Sequence, residues 1–449
     1  MPKTTTKYIC SNCGEQTSSW SGRCPYCSEW NTLEEIIQPE IGSISSFKSR
    51  TGVLPAMPVN KALGIDANRL MTGLKDIDDV LGGGIVTGSI NLLAGQPGIG
   101  KSTLLLQIAY AISKFAPVLY VSGEESAHQV SLRANRLGTI RKNLFLANSN
   151  SADDIASTIA TGKYKLVIVD SIQAVTANGL SSGTGTVSQI TSSSQLITLS
   201  AKASNTAVII VGHVTKEGSI AGPKILEHAV DVVLQLEGDR FGGFKVLRAI
   251  KNRYGSTHEA GIFEMRDEGL APIDNPSAAL LAERQISDGS IVLATLEGTR
   301  PILVEVQALV NRTSYGYPKR TASGFDLTRL NLLIAVLEKR TKLNLADQDI
   351  FINVVGGIHL SEPAADLAIC MAIGSAAKGL ALKENLVVFG EVGLSGEVRH
   401  VPFLEKRLAE AKKLGFKGAI GPSQAANKAV SGVKAVKDLR IALNSYLKS

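Results

Sequence analysis

Gly95-Gln96-Pro97-Gly98-Ile99-Gly100-Lys101-Ser102-Thr103 opens with the pattern G-x-x-x-x-G-K-[ST] of a phosphate-binding loop. Its glycines let backbone N–H groups turn inward and cradle phosphates. Lys101 reaches the β/γ oxygens of a triphosphate, and the Ser102 hydroxyl ligates Mg2+. The helix that begins there points its positive end at the anion. The pattern requires a strand before it and a helix after it. Residues 89–94 read as that strand and 102–115 as that helix. The alternative is a glycine-rich turn without a ligand, and these flanks disfavour it.

Working outward, a magnesium-bound nucleotide needs a carboxylate on a neighbouring strand. Leu166-Val167-Ile168-Val169-Asp170 supplies one: an apolar, fully buried parallel strand ending in an acid, where α/β sheets place their ligands. Hydrolysis also needs a group that orients water. The strand 118–122 runs into Gly123-Glu124-Glu125, and a carboxylate there either faces the γ-phosphate or caps the next helix. We take Glu124 as the base and Glu125 as structural.

The wider chain has 449 residues, 44% of them hydrophobic and 19% charged, which is ordinary globular usage. At roughly 150 residues per domain this suggests about three domains. A net charge of +7 fits a nucleic-acid partner but equally a solvated basic surface. There is no apolar run of membrane-spanning length and no apolar signal core at the start, so the chain is expected to be cytoplasmic, in a reducing compartment. In that setting Cys10-x-x-Cys13 and Cys24-x-x-Cys27 read as a closed four-thiolate Zn2+ site rather than as disulfides. Such a site has no open position for water and is structural. A segment this small would owe its fold to the metal. Cys370, in an apolar helix, reads as core packing.

Composition shifts divide the chain into a zinc knuckle at 1–35, a Pro- and Ser-containing linker at 36–66, an ATPase core at 67–273 and a further domain at 274–449. Within the core, strands at 118–122, 165–170 and 207–212 alternate with helices. Residues 230–236 and 244–250 read as a terminal hairpin. The last domain mixes strands at 302–309, 350–354 and 386–390 with helices at 329–340, 363–378 and 403–414.

The order of phosphate loop, Gly-Glu strand end, Asp170 strand and Gly212-His213 strand end resembles the RecA/DnaB superfamily. Lys251-Asn252-Arg253-Tyr254-Gly255 is similar to the K-N-R-F-G signature of the bacterial DNA-repair RadA (Sms) family, with Tyr for Phe. The cysteine module and the last domain match that family too, so the resemblance spans nearly the whole chain. It implies an α/β fold: a RecA-like P-loop core with a mostly parallel sheet, an N-terminal zinc knuckle and a C-terminal Lon-protease-like α+β domain.

The activity implied is a DNA-dependent ATPase in recombinational repair. It would form a ring, expected to be hexameric, that moves on single-stranded DNA and promotes branch migration of branched intermediates with a RecA-type recombinase as partner. Lys251 and Arg253 would reach into the neighbour's ATP site. His213 would be a sensor between the γ-phosphate and the DNA loops, against the plain reading of a structural histidine.

Loops at 176–189 and 216–224 stand where RecA-like proteins hold single strands, with Lys216 and Lys224 as phosphate contacts. Arg312-Thr313-Ser314-Tyr315-Gly316-Tyr317-Pro318-Lys319-Arg320 interleaves cations with tyrosines and could pair phosphates and stack bases, through Arg312, Lys319 and Arg320. Lys412, Lys413 and Lys417 read as a solvated face. In the Lon resemblance the nucleophilic serine position falls on Ala364, with Ser361 misplaced, and the lysine position falls on Leu404, with Lys406 matching a neighbouring lysine. Both members of a Ser–Lys dyad are then missing, and a peptidase is not expected. An ATP-dependent peptidase and a nucleotide-switched assembly protein remain the rival classes.

Overall fold

A computed structural model describes residues 6–10, 16–17, 19–37, 69–214, 220–221, 224–238, 244–314, 316–382, 385–422 and 431–447. Cys13 and Lys216 lie outside the described residues, as do the side chains of His213 and Lys224. Contacts divide the chain into two compact units, one of residues 1–237 with 245–272 and the other of 238–244 with 273–449.

The first unit is built on β1 (Ile90–Gly95), α1 (Lys101–Ile112), β2 (Val118–Ser122), α2 (Ala127–Arg136), β3 (Leu144–Asn148), α3 (Ala152–Ala160), β4 (Leu166–Asp170), α4 (Val187–Ser204), β5 (Ala207–Val214), α5 (Lys224–Ala229), β6 (Val232–Gly238), β7 (Phe244–Asn252), β8 (Ala260–Arg266) and β9 (Gly269–Pro272). Its sheet runs in the order β9-β8-β7-β6-β1-β5-β4-β2-β3. The stretch from β6 through β1, β5, β4 and β2 to β3 is parallel throughout.

All six residues of β1 are buried, as the central strand of a sheet covered on both faces requires. On one face Leu104, Leu105 and Ile108 of α1 pack on the sheet. On the other Ile155 and Ile159 of α3 and Ile197 of α4 do so. Every parallel strand therefore presents its C-terminal end to the same edge, and the ends of β1, β2 and β4 meet there.

Two expectations shift. The hairpin at β6 and β7 is not terminal, because β8 and β9 extend the sheet by a further antiparallel pair. The second half of β8 is exposed, which breaks the apolar run that would have marked it as a strand. The loop read at 176–189 ends earlier, since α4 starts at Val187. Serines compete for backbone hydrogen bonds and read as loop, but here Ser188 is buried in α4 and tertiary packing decides.

At the start of the chain three short strands, Thr6–Cys10, Gln16–Thr17 and Leu33–Ile37, pair antiparallel around the cysteines.

The second unit holds a seven-stranded mixed sheet, with helices Leu327–Thr341, Asp366–Lys378, Leu404–Lys413 and Leu439–Tyr446. Ala364 and Leu404 are both buried. Beside them Arg407, 0% exposed, makes a two-pronged ion pair with Glu362 at 2.6 and 2.7 Å and donates to the Ala294 carbonyl at 2.7 Å. Thr295 Oγ1 and the Leu296 amide donate to Glu362 Oε1, at 2.6 and 2.9 Å. A fully buried guanidinium needs this saturation to be tolerated.

Candidate functional site

The loop between β1 and α1 folds as its glycines dictate. Gly98 and Gly100 take φ of +78° and +115°, in the left-handed region that side chains disfavour. Gly100 caps α1, so the first amides of a twelve-residue helix face the loop. The side chain of Lys101 folds back over the loop, and its Nζ donates to the carbonyls of Gly95 at 2.8 Å and Gln96 at 3.0 Å. Burial lowers its pKa to about 8, against the opposing pull of Asp170 and Glu124.

Around this loop lies a cleft of about 290 Å³, lined among others by Lys101, Ser102, Glu124, Glu125, Arg133 and Asp170. Sheet register places Ser122 at the end of β2 directly beside Asp170 at the end of β4. Ser102 Oγ donates to Asp170 Oδ2 at 2.7 Å, and the Tyr120 hydroxyl donates to the same oxygen. Burial, then the Asp170 charge, holds the Tyr120 phenol well above its ordinary range, so it stays a donor. Glu124 Oε1 accepts from Ser171 Oγ.

Glu125 is occupied differently. It takes both prongs of the Arg133 guanidinium at 2.7 and 2.8 Å, and its amide donates to Ser122 Oγ at 3.0 Å. This pairing raises the Arg133 pKa, chiefly through the hydrogen bond to Glu125. The two adjacent acids thus have separate surroundings: Glu125 is locked to a cation, while Glu124 sits against a hydroxyl.

The residues singled out in the sequence divide into two groups. Gly95, Gln96, Pro97, Gly98, Ile99, Gly100, Lys101, Ser102 and Thr103 form one loop and helix start, and Glu124 and Asp170 meet it at the same sheet edge. His213 stands on β5 in register with Gly95.

Lys251 and Arg253 lie elsewhere. Arg253 Nη1 pairs with Asp231 Oδ1 at 3.1 Å, and Asp231 Oδ2 accepts from the Ile90 amide at 3.0 Å. Ile90 begins β1 and Gly95 ends it. At about 3.3 Å per residue of parallel strand, roughly 17 Å separate them. Both cations therefore sit at the sheet edge opposite their own phosphate loop. Lys251 Nζ donates to the carbonyls of Glu227, His228 and Val230 at 2.6, 3.3 and 2.7 Å, closing the C-terminal end of α5. The turn is held by Gly255, whose Cα packs on Gly82 so closely that a Cβ on either residue would lie 3.0 Å from the other's Cα.

Sequence reasoning missed Tyr120, Arg133, Ser171 and Asp231. Tyr120 carried a signal, a polar tip inside an otherwise apolar buried strand, which must find a partner. Arg133 carried none, since the pairing to Glu125 spans a turn and two turns of helix.

In the cysteine module the thiols of Cys10, Cys24 and Cys27 lie within 4.8 Å of one another, with Cys10 and Cys27 Sγ 3.5 Å apart. Zinc–sulfur bonds of about 2.3 Å in a tetrahedron put sulfurs about 3.8 Å apart, so the three fit a Zn2+ ion. In the C-terminal unit Arg312 is exposed near Asp347 at 3.7 Å, and the Lys319 amide donates to Asp349 Oδ1 at 2.7 Å. Arg320 begins a short strand paired with Ile350.

Three family models match parts of this chain. An AAA domain matches residues 57–219, a rubredoxin metal binding domain residues 8–35, and a model described as subunit ChlI of Mg-chelatase residues 330–425. The DNA repair protein RadA of Aquifex aeolicus is 47% identical over 422 residues, 94% of each chain. That of Bacillus subtilis is 47% identical over 428 residues, 94% of this chain and 93% of its own. That of Escherichia coli is 41% identical over 449 residues, 98% of each chain. Among solved structures, the RadB recombinase aligns at 22% identity over 46% of this chain and 100% of its own, with a TM-score of 0.37. The architecture is thus α/β: a RecA-like ATPase core with a mostly parallel sheet, an N-terminal zinc ribbon and a Lon- or ChlI-like C-terminal domain. Among the described residues no helix is long and apolar enough to cross a membrane.

Proposed function

The chain belongs to the DNA repair protein RadA family, and from that premise we propose that it hydrolyses ATP to drive movement along single-stranded DNA during recombinational repair. One observation carries the chemistry: Lys101, the Ser102 hydroxyl and the carboxylates of Glu124 and Asp170 converge on one cleft at the C-terminal edge of the sheet. In this reading the loop amides and Lys101 bind the phosphates, and Ser102 with Asp170 holds Mg2+. The metal, when bound, neutralises charge on the β- and γ-phosphates. Glu124 accepts the proton of the attacking water, and Ser171 orients it. Glu125 is excluded from that task by its bond to Arg133.

The ring is part of the proposal. Arg253 cannot serve the phosphate loop of its own chain from the opposite sheet edge, so it serves a neighbour's. A closed ring, taken as hexameric, gives every loop such a partner. His213 at the end of β5 would couple the γ-phosphate to the DNA loops, where Lys216 and Lys224 contact strand phosphates. Arg312, Lys319 and Arg320 would add a second DNA surface in the Lon-like domain. Branch migration of branched DNA, assisted by a RecA-type recombinase, is the outcome of that movement. Peptide hydrolysis is not, because Ala364 and Leu404 offer neither nucleophile nor base at the positions aligned with the Lon dyad.

The test is ATP turnover with and without single-stranded DNA. A motor is expected to be stimulated several-fold or more, and stimulation should weaken with salt as phosphate contacts are screened. Turnover indifferent to DNA would leave a nucleotide-switched assembly protein and sink the motor.

Cys10, Cys13, Cys24 and Cys27 would hold a structural Zn2+. Chelation is then expected to unfold the segment around residues 6–37 while nucleotide affinity stays within about twofold, since none of the described cysteine ligands lines the cleft. Circular dichroism and a fluorescent ATP analogue, measured on the same chelated sample, would check both halves. Parallel loss of nucleotide binding would refute the separation.

A further inference from the structure

We propose that Tyr120 is a positioning residue for the magnesium site: its phenol, packed beneath the phosphate-loop helix, fixes the Asp170 carboxylate while Ser102 is engaged by the metal. The inference rests on reading the cleft as a magnesium–nucleotide site.

Three observations carry it. Tyr120 is 1% exposed, and its ring belongs to the same apolar cluster as Leu104, Leu105 and Ile108 of α1. The ring is therefore held by the helix that the phosphate loop launches. In sheet register Tyr120 stands opposite Ile168, two residues short of Asp170 on the adjacent strand, a diagonal that an aromatic side chain spans. Its hydroxyl and that of Ser102 both donate to Oδ2 of Asp170. Two donors on one oxygen fix the plane of the carboxylate, and hydrogen bonds to an ionised acceptor are the strong ones.

The two donors are not equivalent. Ser102 has a second duty, because its oxygen is the loop's ligand to Mg2+. When the metal enters, the Ser102 hydroxyl must reorient to offer it a lone pair. Tyr120 is buried and has no such duty, so its hold on Asp170 can persist through loading. Without it Asp170 would keep its charge and lose its fixed rotation. Ordering the carboxylate would then have to accompany each metal-binding event.

The experiment compares the full-length, zinc-loaded wild type with Tyr120→Phe, which keeps the ring and removes the hydroxyl. A fluorescent ATP analogue is titrated first in Mg2+-free buffer without chelator, then at fixed analogue against Mg2+. Affinity without Mg2+ is expected to be unchanged, while half-saturating Mg2+ rises about tenfold. Asp170→Asn and the double variant complete a cycle, in which Tyr120→Phe adds less than about twofold once Asp170 is neutral.

A magnesium curve that superimposes on the wild type would overturn the proposal. So would a Mg2+-free affinity that falls in the same proportion, since that marks general loosening of the core. Thermal midpoints of the zinc-loaded, Mg2+-free proteins guard the comparison: a Tyr120→Phe midpoint more than about 8 °C below the wild type also counts against a positioning role. Failure of the wild type itself to bind the analogue would instead remove the nucleotide-site reading, so the two failures are distinguishable.

Discussion

Replacing Lys101 with Ala is expected to lower ATP turnover by roughly 10²–10³-fold, the scale of losing one preorganised cation or donor at the transferring group. The Lys101 ammonium is poised rather than free: it rests on the carbonyls of Gly95 and Gln96, inside the loop that the phosphates would enter. Its pKa is about 8, because burial outweighs the attraction of Asp170 and Glu124.

A triphosphate brings negative charge and raises that pKa, so binding above pH 8 takes up a proton. Wild-type affinity should therefore be flat below about pH 8 and fall as pH rises through it, by up to about tenfold per unit. Lys101→Ala removes the proton acceptor and should flatten the profile as well as weaken binding. Steady-state turnover and analogue affinity between pH 7 and 9.5 would measure both. A variant that retains turnover, or the wild type's pH dependence, would take Lys101 out of the phosphate site.

The loop and its strand-and-helix frame were legible because every element obeys a local rule. Positive φ demands glycine at Gly98 and Gly100, burial makes β1 and β4 continuously apolar, and the acid appears where the strand leaves the core. The relative jobs of Glu124 and Glu125 were less legible. Both acids follow the same strand, and what separates them is Arg133 on α2, a partner set by tertiary packing.

Tyr120 was easily passed over inside Val-Leu-Tyr-Val-Ser, where continuous burial and β-propensity account for the aromatic ring and only its polar tip points to a site. The strand β3 escaped notice because its pattern is only partly buried, as an edge strand allows. Lys251 changes meaning most. The sequence groups it with Arg253 as one basic turn. The fold spends its ammonium on three carbonyls at the end of α5, while Arg253 is 52% exposed on a 3% exposed Asp231. Of the two cations, Arg253 is the one presented outward.

That difference makes Arg253→Ala the second large prediction. Turnover is expected to fall roughly 10³-fold or more, the range of an arginine supplied in trans, while affinity for an ATP analogue stays within a few-fold. Turnover of the single variant is not decisive, because Arg253 also covers Asp231, whose other oxygen holds the start of β1. Removing the guanidinium leaves a buried carboxylate with less compensation and could slow turnover by loosening the sheet.

A mixture separates the causes. Arg253→Ala subunits keep an intact phosphate loop, and Lys101→Ala subunits keep an intact arginine. If the arginine acts across a subunit boundary, random co-assembly rebuilds about a quarter of the sites, each pairing the loop of one variant with the arginine of the other. Two inactive preparations should then recover about a quarter of wild-type turnover after subunit exchange. If Arg253 supports only its own chain, every site in the mixture is damaged and no activity returns. Absence of recovery in assemblies that demonstrably exchange subunits would end the trans assignment, and with it the reason for a ring.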